Sequence, residues 1–460
     1  MAETVKIISP IDGSIYAERP VATGPEIESA VARAAAARRA WGAVTVRERA
    51  KFLSHFVDAL LARNDEIVPE LAWQMGRPVR FGGEKGGVEE RARHMITIAE
   101  EALAPSMRPA KDGFRRWIAH EPLGTMMVIA PWNYPFLTAV NSIVPGLMAG
   151  NAVILKHASQ TLLVGERFAE AMQVAGLPDG LFQNLVLNHA DTEKLIGSGQ
   201  IDHINFTGSV EGGRRIERAA AGTFATLGLE LGGKDPAYVR PDANLPSAVE
   251  NLVDGSFFNS GQSCCGVERI YVHADVYDRF VEGFVENAKG WALGNPLEAD
   301  TVVGPMAAAK FADLVRGQTD EALRKGARAL MGSKHTEDRP GSPYLTPQVL
   351  VDVNHQMAVM REESFGPVVG IMKVADDDEA IALMNDSPYG LTASVWSADL
   401  DTVATLGARI ETGTVFANRC DYLDPALVWT GVKDTGKGGA LSEIGYTNLT
   451  QPKSYHLKEA

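Results

Sequence analysis

Apolar residues recur three and four positions apart through residues 25–104, as in KFLSHFVDALLARNDEIV. That spacing predicts two or three amphipathic helices. The texture then changes. TMMVIAPW, NAVILK, FQNLVL, HINFTG and ATLGLEL are short apolar runs, separated by stretches of helical period such as TLLVGERFAEAMQVAG and VEGGRRIERAAAG. Strands alternating with helices predict a largely parallel sheet covered on both faces. A second alternating series starts near Asp235: AYV, a helix to Asn259, RIYVH, VYDRFVEGFVENAKG, VVGIMKV and ASVWS. The fold class is α/β, with two units meeting around LELGGKDP. Two segments fit neither unit. Residues 105–121, PSMRPAKDGFRRWIAHE, and the tail QPKSYHLKEA alternate in the manner of exposed strands. Such edges invite pairing with another chain, so both are predicted to be contacts between subunits.

Composition narrows the class. The 460 residues are 45% hydrophobic and 22% charged, ordinary values for a globular protein. Lys and Arg number 44 against 58 Asp and Glu, a net charge of −14 that argues against nucleic acid or an anionic membrane as partner. The apolar runs are cut by Pro, Asn or Gly well short of a membrane span, and the first residues lack a basic start followed by an apolar stretch. Three cysteines, without a C-x-x-C or a metal-ligand spacing, fit a reducing cytoplasm.

Two of those cysteines, Cys264 and Cys265, are adjacent in FFNSGQSCCGVERIYV, at a glycine-flanked bend between a predicted helix and a predicted strand. A thiol there, beside glycines that let a substrate approach the backbone, suits an attacking group. Either cysteine could equally be a small packed hydrophobe. LELGGKDP places Glu230 within an apolar strand, where desolvation raises a carboxylate toward the range of a general base. In APWNYP two prolines fix the backbone around Asn133, which suits an amide donor aimed at developing negative charge. INFTGSVEGG offers a strand, a turn with Gly208 and Ser209, and a helix whose N-terminus could hold phosphate. ILKHAS ends a strand in Lys156, where ligands of parallel sheets gather. GVKDTGKG imitates a Walker A loop, but Gly438 stands where magnesium needs a hydroxyl, and no G-x-G-x-x-G follows a strand.

Together these residues resemble the aldehyde dehydrogenase superfamily. LELGGKDP is similar to its glutamate signature and FFNSGQSCCGVE to its cysteine signature. PWNYP, Lys156, FTGS, EESFGP, NDSPYGL and GTVFAN follow in the family's order, so the likeness covers nearly the whole chain. It implies two doubly wound α/β domains and a small β oligomerisation arm. Residues 1–104 and 122–232 would form the dinucleotide-binding domain and 233–432 the catalytic domain. Residues 105–121 and 447–460 would form the arm, with 433–446 returning to the cofactor domain. The assembly would be a homodimer or homotetramer.

By position the resemblance selects Cys264 as nucleophile and makes Cys265 a pocket wall. The implied mechanism is attack of the Cys264 thiolate on an aldehyde to give a thiohemiacetal. Its oxyanion would be held by the Asn133 amide and the Cys264 N–H, each such donor being worth about a hundred-fold or more. Hydride transfer to nicotinamide leaves a thioester, which Glu230 hydrolyses by activating water. The base favours release of a free acid over transfer to coenzyme A. For the cofactor the resemblance puts Lys156 on the adenosine ribose, Ser209 and the adjoining Gly208 at the pyrophosphate, and Glu363 on the nicotinamide ribose. Phe365 lies beside the nicotinamide, and Ala130, Pro131, Trp132 and Leu231 complete the set. Ser159 occupies a position where many NAD-preferring relatives carry glutamate, so NADP is expected to be accepted and even preferred over NAD.

The implied substrate tunnel comprises Tyr134, Leu137, Asn141, Phe258, Ser263, Cys265 and the loop from Arg419 to Leu423. It suits a medium aliphatic or aromatic aldehyde, or a semialdehyde whose carboxylate Arg419 receives. A semialdehyde dehydrogenase of succinate-semialdehyde type is thus the rival within enzymes. A catalytically retired binding or structural protein is the rival outside them, against which stand the retained Cys264, Glu230 and Asn133. Two departures from the family bear on this reading. His157 stands where many members have proline, and WTGVKDTGKGGALSEIGY differs from the usual sequence near the tunnel and last strand.

Overall fold

The computed structural model describes residues 3–332 and 335–459. Its first large sheet has the strand order Gly436–Lys437, Thr226–Glu230, His203–Thr207, Thr125–Ala130, Ala152–His157, Phe182–Asn184. All pairs are parallel except the one made by Gly436–Lys437. Every residue of Thr125–Ala130 and Ala152–His157 is buried, as expected of central parallel strands with helices on both faces. The chain lays down Thr125–Ala130, adds two strands on one side, then returns to put His203–Thr207 on the other. That reversal opens a crevice at the carboxyl ends of the strands, where Ala130 and Thr207 stop.

Four α-helices, not two or three, precede this sheet: Gly24–Gly42, Val46–Leu61, Asn64–Met75 and Lys85–Ala102. The first three are joined by connections so short that their periodicities run together. Thr45, capping the second helix through the Glu48 N–H, marks one such boundary. Their inner faces share one core with the sheet, including Trp41, Phe56, Met95, Val128 and Ile154. A hairpin, Thr4–Ile8 with Ile15–Pro20, also precedes them; it is mostly exposed and carries little apolar signal.

The second sheet has the order Arg328–Ala329, Gln348–Val351, Val368–Val374, Val267–His273, Asp235–Val239, Thr392–Trp396, Thr414–Ala417. It is parallel apart from Arg328–Ala329. Glu230 ends a strand of the first sheet and Asp235 begins one of the second, so LELGGKDP joins the two. The carboxyl ends of one sheet therefore face the amino ends of the other.

The two segments outside both units pair with each other. Thr450–Lys458 runs antiparallel to Phe114–Pro122 along its full length, with Ser106–Met107 on the far side. Trp117 and Tyr455 stack at 4.5 Å between ring centroids. Among the described residues no helix is long and apolar enough to cross a membrane.

The divergent segment at 433–437 braces the Glu230 strand. Leu231 N–H donates to Thr435 O at 2.9 Å, and Gly436 pairs with Glu230. Gly436 has φ of +118°, and a Cβ there would lie 2.0 Å from Leu229 O. Gly436→Ala is therefore expected to cost about 1–3 kcal/mol in urea unfolding from backbone strain, with any steric displacement adding to it.

Candidate active site

The turn after Thr125–Ala130 is fixed from below by a buried ion pair. Arg77 and Glu84, each 3% exposed, form a salt bridge. Glu84 accepts the N–H groups of Phe136 (3.0 Å) and Leu137 (2.7 Å), the otherwise unsatisfied donors of the helix Pro135–Met148. Arg77 donates to Asn133 O and, at 3.2 Å, to Asn259 Oδ1. Asn259 Nδ2 in turn donates to Asn133 O (3.1 Å) and Gln262 O (3.2 Å). The PWN turn and the segment leading to the cysteines are thus tied by one network.

That segment is tightly wound. Asn259 and Ser260 have φ of +53° and +57°, and a Cβ on Gly261 would lie 2.3 Å from Gly366 O. Gln262 holds the coil shut by donating to Asn259 O (3.0 Å) and accepting Ala307 N–H (2.8 Å). The Asn259, Ser260 and Gln262 side chains are all hydrogen-bonded within this coil or to Gly304 O and Ala307 N–H, which helps to hold the strained turn.

Cys264 and Cys265 emerge from this coil into different surroundings. Cys265 is buried and its thiol donates to Asp421 Oδ1 at 2.8 Å. Its hydrogen bond with Cys264, followed by burial and the Asp421 charge, holds the Cys265 thiol well above its usual range. Cys264 is only partly buried. Both line a cavity of about 260 Å³ with Glu230, Tyr134, Leu137, Asn141, Phe258, Ser263 and Leu423. Of the expected tunnel residues, Cys420 and Tyr422 are absent from that wall, and so is Arg419. It is exposed, with its guanidinium 3.8 Å from the centre of the Tyr422 ring. The positive φ of Asp421 (+49°) coils the loop so that Asp421 points inward instead.

Asn133 is buried beside this cavity, not among its lining residues, and its Nδ2 donates to Gln262 O at 3.2 Å. Glu230 does line it. Burial pushes the Glu230 carboxyl up to about 7, against opposing effects of Thr207, whose hydroxyl lies 3.3 Å from Oε2, and of the Arg91 charge. Glu230 and Asn141 also border a second cavity of about 230 Å³, lined further by Ser142, His203, Gly228 and Lys437.

Arg91, Thr138, Thr207, Asp254 and Trp429 complete the front cavity and lie outside the residues singled out from sequence. Arg91 had a legible signal. Val88, Arg91, Ala92, Met95 and Ala99 form the buried stripe of Lys85–Ala102, and an arginine there interrupts an apolar face.

A third cavity, about 310 Å³, opens where the first sheet reverses. Lys156, Phe206, Ser209, Gly212 and Arg215 are among its lining residues. Ser209 caps the helix Val210–Ala220 by accepting Gly212 N–H at 3.1 Å. The Lys156 ammonium is buried there with no ion pair among the described residues. A buried, unpaired cation beside a helix N-terminus fits a phosphate-bearing dinucleotide. Ser159 is exposed and outside that lining. His157 is a brace: its ring meets Pro135 O and Thr161 Oγ1, both at 3.2 Å, and burial lowers it to about 4, so it is neutral.

Between this cavity and the front one, Trp132 packs edge-on against Phe365 at 5.5 Å. Phe365 is in the left-handed region (φ +49°), held by Glu268, which accepts Ser364 and Phe365 N–H at 2.8 Å each and also pairs with the buried Lys234. The Glu363 carboxylate lies flat on Gly232, where a Cβ would come within 2.3 Å of both oxygens. Burial, aided by the Glu268 charge, raises Glu363 to about 8. Leu231 packs against Gly213, and Gly208 against the Phe206 ring.

A partly buried thiol and a carboxyl raised toward neutrality share one cavity, and a separate crevice holds a buried cation beside a helix N-terminus. Residues 1–455 match the aldehyde dehydrogenase family, to which the chain belongs. It is 36% identical to an aldehyde dehydrogenase of Paenarthrobacter nicotinovorans over 98% of this chain and 99% of that protein. It is 33% identical to an NADP(+) succinate-semialdehyde dehydrogenase of Deinococcus radiodurans, over 97% and 93%. A solved NAD-dependent aldehyde dehydrogenase from Sinorhizobium meliloti superposes with a TM-score of 0.95 at 30% identity, covering 100% of this chain and 92% of the other. The chain is thus an oxidoreductase of that family.

Because the Arg77–Glu84 pair is buried, removing one charge strands the other. Glu84→Gln is expected to cost about 3–5 kcal/mol, measured as a shift in the unfolding free energy in guanidinium chloride.

Proposed function

We infer that the enzyme oxidises an aldehyde to the free acid through a thioester on Cys264. The observation that carries this reading is the shared cavity: Cys264 and Glu230 face one space, while Cys265 is occupied by Asp421. The Cys264 sulfur attacks the aldehyde carbon. The oxyanion so formed takes hydrogen bonds from the Asn133 amide, which has a second N–H beyond the one given to Gln262, and from the Cys264 N–H. Trp132 and Phe365 would flank a bound nicotinamide, which would supply the hydride acceptor for that carbon. Lys156 and Ser209 would hold the adenosine ribose and pyrophosphate, with Gly208 allowing close approach. Glu363 would take the nicotinamide ribose, and Ala130, Pro131 and Leu231 would line the path. Glu230 then removes a proton from the water that releases the acid.

Ser159 brings no carboxylate to the adenosine crevice, and Lys156 is there a buried cation without an ion pair among the described residues, while Arg215 is paired with Glu193 and Glu211 lies on the same wall. NADP is therefore proposed to be accepted at least as well as NAD. The three-stranded arm, with Met107 68% and Leu457 40% exposed, supports a homo-oligomer, and three free thiols support a cytoplasmic setting. Sedimentation equilibrium and cell fractionation test those two points.

Three outcomes are expected from an aldehyde panel run with both nicotinamides. Cys264→Ser abolishes turnover, and retained turnover would remove Cys264 from the chemistry. Glu230→Gln keeps the first-turnover burst but slows the steady state; loss of the burst would move Glu230 to another role. Because the raised carboxyl is a base only when ionised, kcat rises with pH through about 7 in the wild type, and that limb is absent in Glu230→Gln. An overwhelming preference for NAD would refute the reading of Ser159.

A further inference from the structure

We propose that Arg91 anchors a carboxylate at the far end of the substrate, so that the enzyme selects ω-carboxy aldehydes over neutral aldehydes of the same length. This rests on the aldehyde-oxidising reading above and names its substrate class.

Arg91 is 9% exposed and lines the front cavity with Cys264 and Glu230. No carboxylate among the described residues lies within 4.0 Å of its nitrogens. Its one hydrogen bond, to Leu137 O, is long at 3.4 Å, and its Nε is buried with no partner. Other buried arginines make shorter hydrogen bonds: Arg49, whose Nε also lacks a partner, donates to Met148 O (2.8 Å) and Gly42 O (3.0 Å), and Arg269 donates to Lys234 O (2.9 Å) and Met384 O (3.2 Å). A desolvated guanidinium with unmade hydrogen bonds is costly unless an anion completes it. Its position on a buried helical stripe aims that need into the space the aldehyde must enter.

Two further groups on the same wall are unsatisfied. Tyr134 Oη and Asn141 Oδ1 are buried without a hydrogen-bond partner. The phenol can donate, and the Asn141 amide can present its donor end to an anion on rotation. Arg91 and Tyr134 thus each bring an unmade donor to one cavity, of the kind a carboxylate completes.

The acids on this wall set the charge of the anion. Glu230, Asp254 and Asp421 share the cavity, and burial raises all three, Asp254 to about 6. Asp421 is occupied by Ser263 Oγ at 3.2 Å and Cys265 Sγ. While these three carboxyls are protonated, one guanidinium balances a single negative charge, whereas a phosphate dianion leaves one charge unbalanced beside them. The ligand chemistry is therefore a carboxylate.

The test compares kcat/KM for 4-oxobutanoate and 5-oxopentanoate with that for butanal and pentanal in wild type, Arg91→Met and Arg91→Lys. Wild type is expected to favour the charged member of at least one pair by 10-fold or more. In Arg91→Met that ratio falls about 10- to 100-fold, the loss of a charge-assisted pair, and Arg91→Lys restores part of it. An unchanged ratio, or equal losses on both substrates, overturns the assignment. So does a wild type that prefers the neutral aldehydes or glyceraldehyde 3-phosphate, a result available even if Arg91→Met does not fold. Failure of wild type on every aldehyde would instead overturn the aldehyde-oxidising reading itself.

Discussion

The buried pair Arg77–Glu84 is the constraint on which the site depends. It sits beneath two segments more than a hundred residues apart in the chain, and its hydrogen bonds go to backbone groups of one and to the Asn259 side chain of the other. Glu84 satisfies the start of the helix after the PWN turn, and Arg77 satisfies Asn133 O and Asn259. A buried ion pair contributes little net stability, since desolvation consumes most of its Coulombic gain. Its value here is in registration: the strained coil before Cys264 and the rigid turn before Tyr134 share the same fixed anchor.

Around that anchor, carboxyls are deliberately dry. Glu230 and Glu363 both sit near neutral pH in their titration because burial outweighs the neighbouring positive charges. A carboxyl of that kind gains and gives up a proton at little cost, which is what a base acting in each turnover requires. The second thiol is treated in the opposite way. Asp421 and Cys264 keep Cys265 protonated, so the two adjacent cysteines differ in surroundings as much as two unrelated residues would.

Much of this was legible in the chain. The apolar runs marked most strands of both parallel sheets, though not Gln348–Val351 or Thr414–Ala417, because a strand buried on both faces must be apolar along its length. Glu230 could be read as dry because it ended such a run. The alternation in 105–121 and the tail marked the small sheet. Other features left weaker traces. The boundaries among the first helices vanish because the connections are two or three residues long. Arg419 was the nearest cation in sequence to the tunnel loop, but loop residues take their direction from backbone torsion, and the turn at Asp421 sends Arg419 outward. Arg91 was visible only as a break in a helical stripe. Arg77, Glu84 and Gln262 left no local pattern, since each acts on partners far away in the chain.

Glu230 belongs to the walls of two chambers, one shared with the sulfur and one behind it. In the role proposed for Glu230, an acyl chain filling the front would leave the carboxyl bordered by the rear chamber, so its proton could be exchanged there while the acid is still in place, as in a room with separate doors for entering and leaving.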